Sequence, residues 1–251
     1  MVTRLALVTG ANGGIGSAIC DCLRENGFEV RTMDAVEPCD VLADLAVDPI
    51  PDSAVADADV CVSVAGVVDT FAPAHSMSAK QWSRDIDVNL TGAFRVVQAC
   101  LPGMRDRGFG RIVAISSMAG RMGNADKVAY AASKAGLQGM IRTVAIENCA
   151  LGITANCVLP GFIAAPGLLA MPEWNRNRIL AAIPSGRFGR PDEVANMVAF
   201  LARDDAGYIT AQEIGIAGGL ELNTFSIAAL TKEPRSSLDL WPPLTEATSD
   251  R

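Results

Sequence analysis

The chain has 251 residues, half of them apolar, with a formal net charge of −7 and a pI of about 4.8. That acidic balance argues against nucleic acid or an anionic membrane as a partner, and no apolar run reaches the roughly 18 residues that span a bilayer. A single histidine, His75, excludes a multi-histidine metal centre, and seven cysteines without a Cys-x-x-Cys pair read as reduced, packed thiols.

The length suits one α/β domain, with apolar residues to spare for burying helix faces between subunits. The first residues lead straight into a strand-like run without the pattern of a secretory signal, so a soluble, cytoplasmic protein is expected.

Residues 5–8 form a short apolar run of the kind that makes a strand buried on both faces. It leads into Thr9-Gly10-Ala11-Asn12-Gly13-Gly14-Ile15-Gly16, after which Ser17-Ala18-Ile19 opens a helix ending near Asn26-Gly27. A glycine-rich turn between a strand and a helix N-terminus is an anion site. Glycine lets the backbone approach a pyrophosphate, and free N–H groups with the helix dipole stabilise its charge. Gly10, Asn12, Gly13, Gly14, Ile15 and Gly16 are therefore the candidate dinucleotide contacts, although the spacing is T-G-x-x-x-G-x-G rather than G-x-G-x-x-G.

Residues 29–34 read as a second strand ending in Asp34, 18 residues after Gly16. A carboxylate there accepts hydrogen bonds from both hydroxyls of an adenosine ribose and repels a 2′-phosphate. At ~4 Å and an effective dielectric of ~20 that repulsion is about 4 kcal/mol per unit charge pair. The turn offers no lysine or arginine to offset it, so NAD is expected in preference to NADP.

A helical crossover takes about a dozen residues or more; residues 35–38 cannot supply one before Cys39-Asp40-Val41-Leu42, and Pro49 and Pro51 leave little room for a second helix before the next buried strand, residues 59–64. A loop and an abbreviated helix are expected instead. Asp87-Val88-Asn89-Leu90-Thr91-Gly92 falls inside a helical segment reaching about residue 105, and residues 110–117 make another strand, ending in Ser116-Ser117.

Then come Tyr130-Ala131-Ala132-Ser133-Lys134, at the start of a helix reaching about residue 149. Positions four apart share a helix face, so the Tyr130 hydroxyl and the Lys134 ammonium can approach each other. A phenol loses its proton near pH ~10, and a neighbouring cation is expected to lower that value. A hydroxyl from Ser117 would bond the reacting oxygen while Tyr130 moves its proton.

Residues 151–161 read as a strand and exit turn, and residues 162–190 as a substrate lid carrying Phe162, Ile163, Pro166, Leu168, Leu169, Met171 and Trp174. Asn175, Arg176 and Arg178 read as a solvated helix face. A helix over residues 191–203 and a strand over 213–216 follow. The 221–251 extension is interrupted by Pro234, Pro242 and Pro243 but rich in apolar residues; it is expected to dock on a neighbouring subunit or to be partly disordered.

With these motifs the chain resembles the short-chain dehydrogenase/reductase family, in its compact single-domain branch, from about residue 5 to residue 220. The resemblance implies a Rossmann-type, doubly wound α/β fold: a mainly parallel seven-stranded sheet with helices on both faces. It implies a catalytic set of Ser117, Tyr130, Lys134 and Asn89, with Ser117 rather than Ser116 at the family's distance from the tyrosine. Gly10, Gly14 and Gly16 would wrap the pyrophosphate, Asp34 the ribose, and Asp44 and Leu45 the adenine. Ala65 and Gly66 keep half of the family's N-N-A-G motif; Tyr130, Lys134, Pro160, Gly161 and the Ile163 backbone would face the nicotinamide half. Ala165 stands where the family usually has a threonine, so one nicotinamide contact is lost. A homotetramer is implied as well. The activity expected is NAD-dependent interconversion of a secondary alcohol and a ketone on a bulky apolar, alicyclic, aromatic or hydroxyacyl substrate. The alternatives are a 3-oxoacyl thioester reductase and a catalytically silent nucleotide sensor.

Overall fold

Seven parallel strands set the frame, the central four buried on both faces almost throughout. The computed structural model describes residues 3–222. In chain order the elements are β1 (Leu5–Thr9), α1 (Gly14–Glu25), β2 (Glu29–Asp34), β3 (Val41–Leu42), α2 (Asp52–Val55), β4 (Val60–Ser63) and α3 (Ala79–Ile86). A π-helical turn, Asp87–Gly92, joins α3 to α4 (Ala93–Arg107). Next come β5 (Gly110–Ile115), α5 (Ala119–Met122), α6 (Val128–Asn148), β6 (Ile153–Pro160), α7 (Pro166–Leu169), α8 (Glu173–Ala181), α9 (Pro191–Ala202) and β7 (Glu213–Ile216).

The strand order is β3-β2-β1-β4-β5-β6-β7, with every pairing parallel. The order reverses beside β1, so the ends of β1 and β4 diverge into the crevice where such sheets bind ligands. Alternate strand residues feed two cores. Leu7, Cys61, Ile112 and Leu159 pack with α4 and α6 on one face, while Ala6, Val8, Val62 and Val158 pack with α1 and α9 on the other. All seven cysteines are free, and Cys20, Cys61, Cys100 and Cys157 are buried in these layers.

The doubly wound sheet is as expected, and the curtailed crossover after Asp34 has become the two-residue β3 and the four-residue α2. Helix α1 begins at Gly14, three residues before Ser17, because Gly13 already takes the extended N-cap conformation. The single helical segment expected through Asn89 is instead two α-helices joined by the π turn. Among the described residues no helix is long and apolar enough to cross a membrane, and no cluster of His, Cys, Asp or Glu is placed to hold a metal ion. Of the 221–251 extension, all but Glu221 and Leu222 lies outside the described residues.

Candidate active site

The glycine turn is shaped by what it touches. Gly10 has φ +64°, and a Cβ there would fall 2.6 Å from Ala65 Cα. Only glycine suits that conformation at that distance. A Cβ on Gly16 would strike the Gly10 carbonyl, and one on Gly14 would lie 2.8 Å from Pro166 Cδ. The loop after β6 is thus folded against the turn. Thr9 was not assigned a role from sequence. Its buried hydroxyl accepts the N–H groups of Val64 and Ala65 at 3.1 and 3.2 Å, tying β1 to the exit of β4 where the family's asparagines are absent.

Asp34 ends β2 beside this turn. Its carboxylate accepts the Asn12 N–H at 2.9 Å and the Val36 N–H at 3.1 Å, while the Asn12 amide donates to Val36 O at 2.5 Å. The charge is therefore held at the mouth of the glycine turn, and no described lysine or arginine forms an ion pair with it. Asp44 is exposed and caps its own turn, accepting the Ala46 N–H at 2.9 Å. Leu45 is buried against α4, its carbonyl accepting from Arg95 at 2.9 Å. Only its backbone can face a nucleotide.

The four candidate catalytic residues come from three places. Ser117 follows β5, Tyr130 and Lys134 lie on the first turns of α6, and Asn89 sits in the π turn. Asn89 is fully buried: its Oδ1 accepts the Val67 N–H at 2.7 Å, and its Nδ2 donates to Val67 O at 3.0 Å and Ser133 Oγ at 3.3 Å. Widening the helix there turns the amide towards the segment leaving β4. Gly66 lies between Asn89 and Lys134; a Cβ on it would be 3.0 Å from Asn89 Oδ1 and 3.4 Å from Lys134 Nζ.

Lys134 is 4% exposed, and its ammonium donates to Ile115 O at 2.9 Å. Burial lowers it from the ordinary lysine value to about 8, with a small opposing effect from Cys157. Its Nζ stands 5.8 Å from the centre of the Tyr130 ring. The tyrosine departs from the expectation of a lysine-lowered phenol. In the free chain burial raises it, a hydrogen bond with Ser117 opposes that rise, and Asp85 adds to it. Desolvation outweighs the Ser117 contribution, because burial disfavours the charged phenolate.

The two serines divide the work. Ser116 donates to Lys134 O at 2.9 Å and accepts from Gln138 Nε2 at 2.9 Å, fastening β5 to α6. Ser117 is free of that brace, accepts the Ala119 N–H at 3.1 Å and acts to lower the Tyr130 phenol. Beyond β6, Pro160 O accepts the Met118 N–H at 3.0 Å, and Gly161 is packed against Ala217. Ile163 is buried and its carbonyl accepts the Ala165 N–H at 2.7 Å. In the lid, α8 buries none of its residues; Leu169 and Trp174 stay exposed, and Arg176 is a strut donating to Leu169 O and Met171 O at 2.6 and 3.0 Å. His75 is exposed in a loop.

Known proteins share the family and the fold. A family model described as enoyl-(acyl carrier protein) reductase matches residues 31–221. An acetoacetyl-CoA reductase of Rhizobium meliloti (strain 1021) is 42% identical over 238 residues, spanning 87% of this chain and 98% of the relative. A (3R)-3-hydroxyacyl-CoA dehydrogenase of Mus musculus is 38% identical over 248 residues, spanning 86% and 95%. Among solved structures, one described as a 2-deoxy-d-gluconate 3-dehydrogenase from Agrobacterium tumefaciens, with bound NADP, superposes with a TM-score of 0.82. It is 30% identical, over 88% of this chain and 97% of that one.

Proposed function

The chain belongs to the short-chain dehydrogenase/reductase family of oxidoreductases, and on that premise we propose that it interconverts a secondary alcohol and a ketone with NAD(H). The substrate class we propose is a 3-hydroxyacyl or 3-oxoacyl thioester. The observation that carries the reading is that Tyr130 and Lys134 lie one turn apart on α6, with the Lys134 ammonium 5.8 Å from the centre of the Tyr130 ring, and that Ser117 leaves the end of β5. The names of the relatives favour a thioester over a simple alicyclic or aromatic alcohol.

The residues present fit a nicotinamide dinucleotide. Gly66 leaves room beside Lys134 that a methyl group would fill, and the N-terminus of the 12-residue α1 opens at the glycine turn. Gly10, Asn12, Gly13, Gly14, Ile15 and Gly16 would hold its pyrophosphate, Asp34 its adenosine ribose, and Asp44 and the Leu45 backbone its adenine. Ala65, Gly66, Pro160, Gly161, Ile163, Tyr130 and Lys134 would flank the nicotinamide half. Once bound it supplies or accepts the hydride. In the oxidative direction Ser117 holds the substrate hydroxyl by a hydrogen bond and the Tyr130 oxygen takes its proton. Lys134 steadies the negative charge on the phenol oxygen, and Asn89 fixes the backbone at Val67 beside it. In the reductive direction Tyr130 returns the proton to the new alkoxide.

NAD rather than NADP follows from the Asp34 carboxylate at the turn, although the Agrobacterium neighbour carries NADP. A cytoplasmic homotetramer is the accompanying proposal, supported by exposed Phe94 on α4 and Ile146 on α6. The test is absorbance at 340 nm with a short 3-oxoacyl thioester such as acetoacetyl-CoA. NADH should be consumed faster than NADPH, and an unchanged trace across thioester, ketone and alcohol panels would remove the assignment.

A further inference from the structure

Tyr130 has two lysines near its ring. Lys134 Nζ is 5.8 Å from the ring centre and Lys127 Nζ is 6.0 Å from it. Lys127 precedes α6 and is only 7% exposed. Its ammonium donates to Val68 O and sits 3.3 Å from the centre of the Phe71 ring. Asp85, near the end of α3, is buried as well. That carboxylate is 1% exposed; Oδ1 accepts from Thr70 at 2.6 Å, and Oδ2 is a buried side-chain oxygen without a hydrogen-bond partner.

We propose that Lys127 is a second positioning residue for Tyr130, a buried cation that steadies the phenolate. The inference rests on Tyr130 as the proton carrier. The charged groups around the pair are Lys134 on α6, Asp85 on α3, and Asp69 on the segment after β4, which is tied to Arg84 of α3 at 2.7 Å. Burial lowers Lys127, with Asp85 and then Asp69 opposing it, while Asp85 raises Tyr130. The cation and the anion therefore act on the tyrosine with opposite signs.

Those opposite signs make the test. The full chain is assayed for NAD-dependent oxidation across pH, and the acid limb of kcat/KM marks protonation of the working base. Lys127→Gln should move that limb up by about half to one pH unit, and Asp85→Asn should move it down by a similar amount. A strut that merely fastened the loop would lower the plateau in both variants without moving the limb. A second measurement needs no substrate. The chain has two tyrosines, and Tyr208 is fully exposed, so Tyr208→Phe leaves Tyr130 as the only phenol. In that background Asp85→Asn should lower the midpoint of phenolate absorbance near 295 nm. An unmoved acid limb in Lys127→Gln, or shifts of the same sign in both variants, would overturn the role of Lys127. Full activity in Tyr130→Phe would instead remove the reading beneath it, and the proposal with it.

Discussion

Replacing Asp34 by alanine and Gly13 by arginine should turn the cofactor preference from NAD to NADP. Asp34 holds its carboxylate 2.9 Å from the Asn12 N–H, at the mouth of the glycine turn, where an adenosine 2′-substituent would meet it. At ~4 Å and an effective dielectric of ~20 a carboxylate–phosphate repulsion reaches about 4 kcal/mol per unit charge pair. Asp34 is half-buried, so solvent and salt screen much of it, and Asp34→Ala alone should be worth about 1–2 kcal/mol. Gly13 can accept the arginine. Its φ of −70° and ψ of 157° are open to any residue, and a Cβ there meets only the Gly10 carbonyl, at 3.3 Å. A guanidinium–phosphate pair adds about 1.5–3 kcal/mol. Together these shift the NADP-to-NAD ratio of kcat/KM by roughly two to three powers of ten, at about 1.4 kcal/mol per tenfold. The assay is kcat/KM for both cofactors at one ionic strength, in the parent and both variants. A parent that already uses NADP as well as NAD would refute the reasoning, because Asp34 would then not face the ribose.

Other outcomes follow from single contacts. Gly66→Ala should cut kcat at least tenfold while the fold survives, since the new methyl lies 3.0 Å from Asn89 Oδ1 and 3.4 Å from Lys134 Nζ; steady-state kinetics and circular dichroism read the two effects. Ser117→Ala should lose most of kcat at little cost in stability, whereas Ser116→Ala should lose about 1–2 kcal/mol of stability in urea and keep most of its turnover. Lys134→Met should be inactive yet more stable than the parent at pH 7. Burial lowers the folded-state value to about 8, so above that pH the unfolded chain binds the extra proton and parent stability rises until about pH 10.5. The advantage of the variant, about 1–3 kcal/mol at pH 7, should shrink between pH 8 and 10.5 in urea titrations.

Much of the frame was legible because it is written in local chemistry. A strand running into a glycine turn and a helix start can be read from adjacent residues, and the missing crossover after Asp34 is a matter of chain length. The choice of Ser117 over Ser116 came from the family's spacing, and the structure adds a physical reason in the Ser116 brace to Lys134 O and Gln138. What stayed hidden depends on tertiary surroundings. Nothing in the period of residues 79–107 marks a π turn at Asn89, because its cause is a contact with Val67 across the site. No sequence signal marks the Thr9 hydroxyl as the group that holds the β4 exit. Nor does one mark Lys127 and Asp85, which are buried in the folded chain. The direction of the shift at Tyr130 in the free chain differs from expectation for the same reason: spacing shows the nearby lysine but not the burial of the phenol.

The central claim is that Tyr130 carries the proton in a hydride-transfer reaction, and one paired measurement addresses it. The parent and Tyr130→Phe are each mixed with NADH and acetoacetyl-CoA while absorbance at 340 nm is followed, and NADH affinity is measured by fluorescence on the same samples. The account predicts a falling trace for the parent and a rate at least a thousandfold lower for Tyr130→Phe, about 4 kcal/mol of lost transition-state stabilisation, with NADH affinity nearly unchanged. Turnover by Tyr130→Phe within tenfold of the parent would contradict it.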